Sequence, residues 1–103
     1  MDANSGEIFR AKINLETSKI AWKELQRFFA GGKALMVAVD LDLVDVAFQM
    51  SGDNVEQIRQ WAVAGKLAHV PDEQAREWAG TDALVWAVVV SPWVLVQPAG
   101  RLH

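Results

Sequence analysis

Three carboxylates crowd one short stretch of the chain, Asp40, Asp42 and Asp45, and clustered carboxylate oxygens are what a hard cation such as magnesium requires. A simpler use is local, because acids at the first turn of a helix answer its unpaired N–H groups and the positive end of its dipole. The sequence nominates no further ligands, so no metal or cofactor is assigned, and these three acids are the candidates if one is held. Glu24 suggests different chemistry. At about 100° per residue it falls between Ile20 and Phe28 inside an apolar stripe, where desolvation would raise its carboxyl pKa towards general acid or base work. Pairing with Arg59, Arg76 or a backbone amide is the structural alternative. Thr17 shares that face. His69, with Asp72 three positions on, could make an oriented imidazole, but one histidine is not a mechanism. No serine sits in a nucleophile-elbow sequence. Gly31-Gly32-Lys33 lacks the earlier glycine and the following Ser or Thr of a phosphate loop. Glu24, Thr17 and His69 therefore form a candidate polar site, and no residue is assigned as catalytic.

The elements that would carry these groups can be read from periodicity. Ile13, Ile20, Ala21, Leu25 and Phe28 recur at helical spacing from about Glu7 to Ala30, predicting one long first helix stopped by Gly31-Gly32. Ala34 to Val39 reads as a buried strand. A second helix then runs from a cap at Asp40 or Asp42 to about Met50. Asp53-Asn54-Val55-Glu56 has capping-box spacing and opens a third helix ending at Gly65. Leu67 to Val70 is a brief strand, and Pro71-Asp72-Glu73 starts a fourth helix through Trp78, stopped by Gly80. Leu84 to Val90, apolar on both alternating faces, is the clearest strand, and Trp93 to Val96 follows a break at Ser91-Pro92. These readings predict an α+β fold: one mixed or antiparallel sheet of about four strands against a long N-terminal helix and three shorter helices. Residues 11–97 would form a single domain, with 1–10 a flexible lead-in and 98–103 a tail.

The chain has 103 residues, half of them apolar, a net charge of −3 and no cysteine. One core fits that length. The charge draws no phosphate backbone or anionic lipid, and the lack of thiols removes disulfides and Cys-based zinc or iron–sulfur sites. The opening residues lack the pattern of a signal peptide, and Ala83 to Val96 is too short and too interrupted to cross a bilayer. A cytoplasmic location without membrane association is the expectation.

Five tryptophans, Trp22, Trp61, Trp78, Trp86 and Trp93, are many indoles for a small core to hide. A strand apolar on both faces asks for cover from helices or from another subunit. The interface candidates are accordingly Trp86, Trp93, Val88, Val90 and Leu95. A competing idea is that Leu43 to Leu67 follows helix-turn-helix spacing, but its recognition helix would offer one Arg against one Glu where phosphate contacts need several cations. The basic positions Lys12, Lys19, Lys23 and Arg27 include Glu16 among them and read as a solvated face.

Two long, tryptophan-bearing segments, Leu15 to Ala30 and Leu84 to Gln97, together with Asp42-Leu43-Val44 and Asp72-Glu73-Gln74-Ala75, resemble the bacterial domain-of-unknown-function family 2288. The resemblance spans about Ala11 to Gln97. It implies a free-standing bacterial domain and brings no activity, cofactor or catalytic residue with it. The function expected is a non-enzymatic interaction module that self-associates as a homodimer through an apolar, tryptophan-bearing surface, with an unidentified protein as the other possible partner. The alternatives are a helix-turn-helix-like regulator, although nucleic acid is not an expected partner, and a small-ligand or metal-binding protein or enzyme built on Glu24 and the Asp40 to Asp45 cluster.

Overall fold

The single long helix suggested by the first thirty residues is broken in two by a strand. A computed structural model describes residues 4–99. In it α1 (Asn4–Glu16) gives way to β1 (Ser18–Ala21), a 3-10 turn (Trp22–Leu25) and α2 (Gln26–Ala30). The helix ends where the Thr17 hydroxyl donates to the Ile13 carbonyl at 2.7 Å and the Thr17 N–H to the Asn14 carbonyl at 3.2 Å, local bonds that compete with helix continuation. A second force acts from a distance. The chain's most apolar strand, β4 (Leu84–Val90), needs a neighbour on its outer edge, and Ser18 to Ala21 supply it, pairing antiparallel with Ala87 to Leu84. At strand spacing Ile20 and Trp22 turn to one side and Lys19 and Ala21 to the other. The expected helical stripe is lost: Leu15 is 83% exposed while Trp22 is fully buried.

The remaining elements are β2 (Ala34–Val37), α3 (Leu43–Ser51), α4 (Val55–Val63), β3 (Leu67–His69), α5 (Asp72–Gly80) and, after β4, β5 (Trp93–Pro98). Asp42 caps α3 by accepting from the N–H groups of Val44 and Asp45. Asn54, one position later than expected, caps α4 through the Gln57 N–H at 3.3 Å, because Asp53 takes a left-handed conformation with φ 57°. Ser91-Pro92, with a cis peptide, is the turn of a β4–β5 hairpin in which Val90 faces Trp93.

The sheet has five strands in the order β1-β4-β5-β2-β3, one more than expected. It is mixed: β5 runs parallel to β2, and the other neighbours are antiparallel. Its first face carries Ala34, Val85, Ala87, Val94 and Val96 under the 3-10 turn and α5, with Trp22 and Trp78 between. Its second face carries Leu35, Val37, Val88 and Leu95 under Ile13 of α1 and Leu43, Val46 and Ala47 of α3, with α4 beside β3. Helices thus cover both faces, as a sheet apolar on both sides requires. The lead-in expected over residues 1–10 is, from Asn4, part of α1, so the boundary expected at Ala11 falls inside a helix. Phe9 lies 5.9 Å from the Phe48 ring, and the Arg10 guanidinium sits 4.3 Å over the same ring. Pro98 of the expected tail belongs to β5. Residues 1–3 and 100–103 of the expected terminal segments lie outside the described residues. Among the described residues no helix is long and apolar enough to cross a membrane.

Candidate functional site

The three clustered acids turn to three different partners. The Lys66 ammonium donates to Asp40, and that hydrogen bond holds the Asp40 carboxyl below the ordinary carboxylate range. Asp42 is spent on its cap, and Asp45 accepts from Arg10 at 3.1 Å and from Gln49 at 3.5 Å. Among the described residues no group of three or more His, Asp or Glu is gathered closely enough to hold a metal ion. The candidate polar site is likewise dispersed. Glu24, expected within an apolar stripe, is exposed on the 3-10 turn, because the helix that would have seated it is not formed. Thr17 and Glu24 flank β1 at one edge of the sheet and His69 lies on β3 at the other, which at strand spacing is about 19 Å away. The four basic positions are also divided: Lys12 on α1, Lys19 on β1, Lys23 on the 3-10 turn, 3.3 Å from Asp82, and Arg27 on α2.

The tryptophans separate by face. Trp22 and Trp78 meet at 5.1 Å between ring centroids on the first face, and both are buried. Trp86 and Trp93 stand on the second face, at opposite ends of the β4–β5 ladder, since Trp86 pairs with Gln97 and Trp93 with Val90. About 13 Å of strand separates them. Between them Val88 and Leu95, expected at an interface, are buried under the chain's own helices. Val90 and Trp93 are partly buried against the same cluster. The cover that the C-terminal strands demand is therefore supplied within the chain along most of their length. On the second face what stays open is the Trp86 end, where Trp86 is 37% and its strand neighbour Leu84 48% exposed, while on the first face Val89 of β4 is open. Lys19 of β1 places its ammonium 5.4 Å over the Trp86 ring. Beside them the Gln97 amide donates to the Ala38 and Leu41 carbonyls, each at 2.8 Å, tying the loop after β2 to the sheet.

The family model for "Protein of unknown function (DUF2288)" matches residues 8–98. The chain belongs to the DUF2288 family. The NMR solution structure of the Pseudomonas aeruginosa protein PA1075 is similar to this DUF2288 chain at 39% sequence identity and a TM-score of 0.79, covering 100% of this chain and 98% of that one. No curated protein matches. In this DUF2288 fold, sequence reasoning missed Leu84 and Lys19 as neighbours of Trp86. The signal was present in Lys19 and Ala21 alternating with Ile20 and Trp22, but a helical count over the same residues absorbed it.

Proposed function

We propose that this protein is a non-enzymatic interaction module that self-associates as a homodimer, with Trp86 and Leu84 as its contact surface beside the outer edge of β1. The supporting observation is the exposure of those two side chains at an open end of an otherwise covered sheet face, next to an edge strand. The edge has a definite polarity. The Trp22 N–H donates to the Ala83 carbonyl across the ladder, so in an antiparallel pair the N–H and C=O groups of Ile20 point inward and those of Lys19 and Ala21 point outward. A second copy approaching about a two-fold axis at Ile20 meets those groups in register, Lys19 opposite Ala21 of the other copy, with exchanged main-chain hydrogen bonds at both positions. This register keeps the two lysines from facing each other directly. It also brings both Trp86–Leu84 surfaces to the same side of one continuous sheet, where their burial would add the hydrophobic term that such a short edge lacks.

Sedimentation equilibrium over micromolar to submillimolar concentrations tests the reading. The wild-type chain is expected to reach dimer mass, and Trp86→Glu to remain monomeric while retaining the wild-type circular dichroism spectrum. A wild-type monomer throughout that range, or a dimer insensitive to both Trp86→Glu and Leu84→Glu, would overturn it.

A further inference from the structure

At the opposite end of the same face, the β4–β5 turn and the α3–α4 connection leave a cleft of about 440 Å³, within the range of sites that enclose small organic ligands. Met50, Ile58, Val90 and Trp93 make its apolar wall, and Asp53 and Arg59 are its charged groups. All four apolar residues are only partly buried, although they pack on the periphery of the second-face core. Among the described residues Arg59 makes no ion pair. Two further groups stand against the Trp93 ring: the Lys33 ammonium at 5.4 Å from its centroid and the His69 ring, edge-on at 6.4 Å. Asp53 is the one carboxylate among the residues lining the cleft and is balanced by Arg59, so the Lys33 ammonium behind the indole leaves one positive charge in excess.

We propose that this cleft is a binding site for a small carboxylate with an apolar, preferably aromatic, body. The carboxylate would be received by the Arg59 guanidinium, whose planar fork matches it, and the body would lie on Trp93 between Ile58 and Val90. The walls come from a helix and a hairpin, so the site is formed before a ligand arrives and little ordering opposes binding. Lys33 adds favourable field behind the indole without occupying the cleft. Asp53 disfavours a second negative charge on the ligand, and hence a dianion such as a phosphate monoester. The site is distinct from the Trp86 surface and does not depend on self-association.

A matched set of probes decides the matter. Indole-3-acetate, indole and tryptamine share one ring system and differ in carrying a negative, zero or positive charge. In nitrogen-15 correlation spectra, indole-3-acetate is expected to shift the Trp93 indole N–H signal, assigned with Trp93→Phe, and the backbone amides of Ile58 and Val90 in a saturable manner. Indole should bind more weakly and tryptamine most weakly. Arg59→Gln, an exposed substitution between good helix formers, should weaken indole-3-acetate about tenfold while leaving indole unchanged. The proposal is overturned if these signals do not move at millimolar indole-3-acetate, if the shifts gather at Trp86 instead, if tryptamine matches indole-3-acetate, or if Arg59→Gln binds as well as wild type.

Discussion

The two faces of the sheet use the same kind of side chain to opposite ends. On the first face, Trp22 and Trp78 fill the space under short helical segments, with Phe29 edge-on to Trp22 at 5.7 Å, and both indoles disappear from solvent. On the second face, aliphatic residues from α1 and α3 seal the middle, Trp61 packs against them from α4, and Trp86 and Trp93 stand at the two ends where that seal runs out. An indole removes a large area from water at one position, which suits it to closing gaps. The comparison teaches that tryptophan content alone does not distinguish core from contact surface. What distinguishes them is whether a helix reaches over the position.

The largest expected effect breaks the first face. Trp22→Ala should destabilise the chain by about 3–5 kcal/mol, whereas Trp86→Ala, measured in dilute solution, should cost about 1 kcal/mol or less. Urea unfolding of the two variants gives the contrast directly, and equal losses would dissolve the difference between the two faces. A smaller effect concerns the cover of the second face. Removing the cap in Asp42→Ala should cost about 1 kcal/mol and lower hydrogen-exchange protection at the start of α3 more than in α5. The smallest effect is electrostatic. The Asp40 carboxyl titrates below its ordinary value because Lys66 hydrogen-bonds to it, so the folded state binds that proton less readily than the unfolded chain does. Its stabilising contribution is complete above about pH 4, the ordinary range for a free aspartate, and is lost as pH falls through the lower folded value. Asp40→Asn should therefore lower stability slightly at neutral pH and flatten the acid side of the profile. A profile unchanged below pH 4 would show that the pair carries nothing.

Much of the fold was legible where local and tertiary demands agreed. The helix α5 between Pro71 and Gly80, the cap at Asp42 and the full span of β4 all follow from residues that act on their own neighbourhood. The register of β1 was not legible, because Ile13, Ile20 and Leu25 satisfy a helical count as well as Ile20 and Trp22 satisfy a strand count. Only the unpaired edge of a strand more than sixty residues away settles the choice. The site followed the same rule. That Trp86 and Trp93 belong to one face follows from the two-residue turn that sets Val90 opposite Trp93; a single kinked strand through Ser91-Pro92, which the sequence equally allows, would have put them on opposite faces. That Val88 and Leu95 are buried between them was not legible either, because it depends on where α1 and α3 lie. Glu24 was misplaced by the same error that misplaced β1.

The middle strand of the sheet, β5, is also the last of the five along the chain. Within the sheet β2 can pair with β3, and β1 with β4, but no strand pairing joins these two halves until β5 slots between β4 and β2; before that they meet only through helices, α1 and α3 among them. A chain stopped short of Trp93 would leave the facing edges of β4 and β2 unpaired, with only helix contacts between the two halves. The fifth strand thus acts as the keystone of the sheet, and assembly of its two halves should be concerted.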